Sequence, residues 1–87
     1  MTWKLVYSNR AQKSIRRLDS VTSRRIVAGL ERFTATGHGD VARVRGNSAR
    51  WRLRIGSWRV FFIYDAMERA ILVLDVLHRR DAYRGTD

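Results

Sequence analysis

The stretch Arg50-Trp51-Arg52-Leu53-Arg54-Ile55-Gly56-Ser57-Trp58-Arg59-Val60-Phe61 decides the fold. Trp51, Leu53 and Ile55 alternate with Arg50, Arg52 and Arg54, the period of a half-buried strand. Gly56-Ser57 suits a two-residue hairpin turn whose first residue takes a positive φ. Closing that hairpin sets Ile55 opposite Trp58, Arg54 opposite Arg59, Leu53 opposite Val60 and Arg52 opposite Phe61. One face then carries Trp51, Leu53, Ile55, Trp58, Val60 and Phe62. The other carries Arg50, Arg52, Arg54, Arg59, Phe61 and Ile63. Like charges directly opposite each other destabilise a sheet by roughly 0.2–1 kcal/mol per pair. A face that gathers arginines at that cost points to a polyanion.

Working outward, Trp3 to Tyr7 reads as a short strand, and Ser8 or Asn9 can cap a helix over about 9–18, where Ala11, Ile15 and Leu18 share a face. Asp19-Ser20 breaks that helix and caps a second over about 21–35, with Ile26, Val27, Leu30 and Phe33 as its apolar stripe. Gly37-His38-Gly39-Asp40 supplies a loop. Strands are expected at Ala42–Arg45 (short, at an edge), Arg50–Ile55, Trp58–Tyr64 and Ala70–Leu77, with Asp65–Arg69 as the last turn. The tail from His78 to Arg84 lacks strong periodicity. The order β-α-α-β-β-β-β predicts an α+β domain spanning residues 1–87, with a helical hairpin on the aromatic face of one small antiparallel-rich sheet.

The chain has 87 residues, enough for one small core. Lys and Arg number 18 against 8 Asp and Glu, a net charge of +10, and only Lys4 and Lys13 are lysines. Arginine excess fits bidentate recognition of phosphate, because the guanidinium presents a fixed fork of donors. Nucleic acid is the first expected partner, an acidic protein the second and an anionic membrane surface the third. There is no cysteine, and the two histidines, His38 and His78, are too few for a typical zinc site, so neither metal nor cofactor is expected. No apolar run reaches the roughly 18 residues of a spanning helix. The start Met-Thr-Trp-Lys lacks a signal-peptide pattern, so a cytoplasmic protein is expected. Apolar residues make up 45% of the chain, which argues against disorder despite the charge.

Nearly the whole chain resembles the RelE/ParE superfamily, the toxins of type II toxin–antitoxin pairs. The resemblance rests on the opening strand followed by Ser-x-x-Ala-x-Lys-x-Ile-x-x-Leu (Ser8 to Leu18), the Val44-Arg45-Gly46 step, the hairpin above, and the ending from Val73 to Arg84. It implies a RelE-like microbial RNase fold. Within the superfamily, RelE-like toxins cleave mRNA in the ribosomal A site, whereas ParE-like toxins inhibit DNA gyrase and lack the nuclease residues. Motif by motif, the resemblance implies catalytic Arg52, Arg54, Arg59, Arg79 and Tyr83. It also implies a cognate antitoxin as partner, beside the ribosome and mRNA.

A metal-free RNase uses the substrate's 2′-hydroxyl to attack the adjacent phosphate, so RNA and not DNA is cut. Guanidinium groups stabilise the extra charge of the phosphorane, a base takes the 2′-proton and an acid protonates the leaving 5′-oxygen. Arginine does not deprotonate in proteins. The base is therefore Tyr83, which the resemblance supplies, or His78, which has the better intrinsic pKa. Arg45, Arg50, Phe61, His78 and Arg80 are the expected RNA-binding residues. Phe61 stacks on a base or packs against a loop or the tail. Arg16-Arg17 and Arg24-Arg25 are read as solvated helix faces, and His38 as exposed. A gyrase inhibitor and a catalytically weak antitoxin-binding module are the alternatives.

Overall fold

A computed structural model describes residues 3–47 and 49–82. In chain order the elements are β1 (Lys4–Tyr7), α1 (Asn9–Arg16), α2 (Ser20–Thr36), β2 (Asp40–Arg43), β3 (Trp51–Ile55), β4 (Trp58–Asp65), β5 (Ala70–His78) and α3 (Arg79–Ala82). The five strands form one sheet ordered β1-β5-β4-β3-β2. β1 runs parallel to β5 and every other pairing is antiparallel. The expected α+β order is therefore observed, with one short helix added at the end.

Local chemistry explains most boundaries. The Ser8 hydroxyl accepts from Ala11 N–H at 3.0 Å, satisfying an orphan donor of the first turn of α1. It also donates to Leu74 O at 2.8 Å, and Ser8 N–H donates to Val73 O at 2.9 Å, so the cap fastens α1 to β5. Asp19 caps α2 by accepting from Thr22 N–H at 2.6 Å, and this bond holds its carboxyl below the usual carboxylate range. α2 closes at Gly37, whose φ of 76° is the left-handed conformation that glycine adopts without strain.

Ile26, Leu30 and Phe33 recur at helical spacing and bury one stripe of α2 on the sheet. They meet Leu53, Val60, Phe62, Ile71, Val73 and Val76 from the strands and Ala11 from α1. Phe62 is fully buried there, a contribution of about 1.5–3 kcal/mol before packing terms. Ser23 Oγ donates to Ile15 O at 3.0 Å, tying α2 back to α1.

Two features differ from expectation. β2 begins at Asp40 and ends at Arg43, two residues earlier than read from sequence. Val41 is the residue that reaches the core, opposite Leu53, and the chain already turns at Gly46, whose φ is 82°. Entry is tight: a Cβ on Gly39 would lie 2.8 Å from Leu53 Cδ1. Second, β4 and β5 shift register between Phe61, which faces Asp75, and Phe62, which faces Val73. Leu74 is the extra residue of this bulge, and beyond it the strand presents its side chains to the opposite faces.

Candidate nucleic-acid interface

The β3–β4 hairpin has the register that the sequence predicts: Ile55 opposite Trp58, Arg54 opposite Arg59, Leu53 opposite Val60 and Arg52 opposite Phe61. Gly56 leads the turn with φ 59°. Arg50, Arg52, Arg54, Arg59 and Phe61 are thereby gathered on the face away from the main core. This face is more enclosed than a row of solvated arginines. Phe61 is 4% exposed, and the Arg50 guanidinium carbon stands 5.0 Å from its ring centroid. The ring therefore has a packing role and does not offer a free surface to a nucleobase.

Arg59 departs furthest from an open position. It is 6% exposed, and its Nη1 donates to Gly56 O and Trp58 O, each at 3.1 Å. The repulsion expected between Arg54 and Arg59 is relieved from both sides. Arg59 turns its head to the hairpin's carbonyls, while Arg54 Nη1 lies 3.5 Å from Asp40 Oδ2. The other oxygen, Asp40 Oδ1, is 3.8 Å from Arg52 Nη2. The Nε–H groups of Arg50, Arg52 and Arg59 are buried with no hydrogen-bond partner among the described residues. Held in this way, the arginines concentrate positive charge on one sheet face, an arrangement whose chemistry suits an anion.

Two carboxylates on this side were not anticipated as site residues. Asp40 would have been found by starting β2 two residues earlier, since it then alternates onto the face of Ala42, opposite Arg52. Asp75 stands out as the one acid in the apolar run Ala70–Leu77. It is 8% exposed, lies opposite Phe61, accepts from Ser14 Oγ at 3.1 Å and sits 4.0 Å from Arg10 Nη1.

The tail residues divide. Arg79 N–H donates to Ser57 O at 2.7 Å, which anchors the start of α3 at the hairpin turn, the end of the sheet where Arg54 and Arg59 lie. Arg79 and Arg80 are exposed, while Ala82 is buried. His78 does not join the arginines. It pairs with Trp58 on the helix side, with the two rings 5.3 Å apart at 84°, and its Nδ1 accepts from Arg80 N–H at 3.3 Å. Arg45 is exposed in the β2–β3 loop, and Tyr83 lies outside the described residues. Arg16, Arg17, Arg24, Arg25 and His38 are exposed, as expected. Chemically, the arginine face can hold and polarise a phosphate, but its guanidiniums cannot take a proton.

A separate surface pocket of about 270 Å³ opens on the helix side, lined by residues including Trp3, Phe33, Val41, Tyr64 and Ile71. Burial pushes the Tyr64 phenol up from its ordinary value. Among the described residues, no helix is long and apolar enough to cross a membrane.

Solved toxin structures share this fold. The archaeal RelE–RelB complex from Pyrococcus horikoshii OT3 matches with a TM-score of 0.75 at 20% identity, covering 94% of this chain and 100% of that one. A mutant Escherichia coli RelE toxin in the free state matches with a TM-score of 0.78 at 18% identity, covering 94% and 88%. The RelBE2 toxin–antitoxin complex from Mycobacterium tuberculosis gives 0.73 at 19% identity, covering 91% and 100%. No curated protein sequence matches. The family model for the ParE toxin of the type II toxin–antitoxin system parDE matches residues 5–83. The chain belongs to that toxin family, within the RelE/ParE superfamily.

Proposed function

We propose that this toxin is a metal-independent endoribonuclease that cuts mRNA in the ribosomal A site and is neutralised by a cognate antitoxin. The observation that carries the reading is the arginine face, with the buried, unpartnered Nε–H groups of Arg50, Arg52 and Arg59. In this reading Arg52 and Arg54 take the non-bridging oxygens of the scissile phosphate, and Arg59 supplies fixed positive charge from beneath. Arg79, anchored at the hairpin turn, stabilises the leaving side. The 2′-oxygen attacks phosphorus and the bond to the 5′-oxygen breaks. The 2′-proton passes to a base and the 5′-oxygen is protonated, leaving a 2′,3′-cyclic phosphate and a 5′-hydroxyl. Tyr83 is assigned as the base through the family resemblance, since His78 packs on Trp58 across the sheet. The ribosome adds alignment of the mRNA, which a small arginine face cannot impose alone. The antitoxin partner is supported by neighbours solved as RelB–RelE complexes.

Purified toxin added to programmed ribosomes should produce A-site breaks with 2′,3′-cyclic ends; intact mRNA with folded toxin would refute the reading. The ParE family match and the placement of His78 away from the arginines favour a second reading, inhibition of DNA gyrase. Accumulated gyrase–DNA cleavage complexes without mRNA breaks would establish that one instead.

A further inference from the structure

We propose that Asp40 is a built-in competitor for phosphate, a carboxylate that occupies the Arg52–Arg54 pair and sets how tightly the arginine face holds RNA. The inference rests on the reading of that face as an RNA site. Asp40 pairs directly with Arg54 across the β2–β3 ladder and lies diagonally from Arg52, whose own partner is Ala42. Its two oxygens are divided between the two guanidiniums, at 3.5 Å to Arg54 and 3.8 Å to Arg52. A phosphodiester carries the same single negative charge and also offers two non-bridging oxygens, so it meets the same two arginines in the same way.

The contact is suited to displacement. The Asp40 side chain is 56% exposed and the distances are those of loose ion pairs, which contribute little in water. β2 is the edge strand, bonded on one side only, so the carboxylate can swing to solvent without disturbing a second neighbour. Arg52, by contrast, is held: its side chain is 18% exposed and its Nε–H is buried with no partner among the described residues. The arginine stays in place while its carboxylate partner is exchangeable. Gly39 keeps the approach to Asp40 close, because a Cβ there would stand 2.8 Å from Leu53 Cδ1 and that side chain would have to shift.

The test is equilibrium binding of a 2′-O-methyl single-stranded RNA oligonucleotide, which cannot be cut, run beside mRNA cleavage on programmed ribosomes. Asp40→Asn keeps the shape and removes the charge. It should bind about 3- to 10-fold more tightly than wild type, with a salt slope steeper by about 0.7 or more per newly engaged phosphate. Asp40→Glu should stay within about 2-fold of wild type, since the charge is kept. Equal or weaker binding by folded Asp40→Asn overturns the proposal. So does lost cleavage at unchanged binding, which would make Asp40 a proton acceptor. Tighter binding without ribosomal cleavage by either form upholds the competitor and refutes the nuclease. Cleavage by wild type without tighter binding by Asp40→Asn does the reverse. No binding by either form, with mRNA on ribosomes left intact, refutes both.

Discussion

The two faces of the β3–β4 hairpin bury neighbouring aromatic rings by different means. Phe62 is fully buried on one side beneath aliphatic side chains and Phe33 of α2, whose ring centroid is 5.5 Å away. Phe61, the adjacent residue on the other side, is 4% exposed under the guanidinium of Arg50. The helix side is closed by shape. The arginine side is closed by charged side chains whose apolar stems cover a ring. A charged sheet face need not be a solvated one. It can be packed enough to fix guanidinium groups in place, which is what an anion site requires.

The two faces should differ most in stability. Phe62→Ala should lose about 3–5 kcal/mol in urea unfolding, whereas Phe61→Ala should lose less, because arginine stems can collapse into the space. Equal losses would mean the two faces are equally rigid. Next in size, Arg59→Ala should slow ribosomal mRNA cleavage by about 100-fold or more while the protein stays folded, as loss of a fixed charge-stabilising donor does. Ser14→Ala removes the hydroxyl that Asp75 accepts from and should cost about 1–2 kcal/mol in the same unfolding measurement. His78→Ala removes an edge-to-face ring contact of about 0.5–1.5 kcal/mol but should leave cleavage within about 2-fold. A large loss of activity there would return His78 to the chemistry.

The smallest effect is alkaline. Burial raises the Tyr7 and Tyr64 phenols above the ordinary value of 10.0. The unfolded chain therefore ionises first, and the contribution of these groups is complete below pH 10 and lost as pH rises through the folded values. Thermal unfolding should show stability falling above about pH 10, and a Tyr64→Phe variant should fall less steeply.

The hairpin was legible because its information is local: strict alternation on both arms and a Gly-Ser turn leave one register. The order of elements followed from caps and periodicity in the same way. The start of β2 was not legible, because a shift of two residues preserves which residues share a face, and only Val41 meeting Leu53 decides it. The face of His78 was hidden by the bulge. Strict alternation from Val73 sends His78 to the arginine side, and the extra residue Leu74 sends it to Trp58 instead, while bringing Asp75 beside Phe61. Arg59's inward turn was hidden because its partners are backbone carbonyls, which carry no sequence signal. α3, with four residues, is too short to show a period.

If the arginine face, and not the helix side, carries the toxin's action, removing one of its central guanidiniums must slow cleavage. The most direct measurement is mRNA cleavage on programmed ribosomes by wild type and by folded Arg52→Ala. A-site breaks are expected with wild type, and at least about 100-fold slower cleavage with the variant. Equal cleavage by the two proteins, or intact mRNA with folded wild type, would contradict that role of the arginine face.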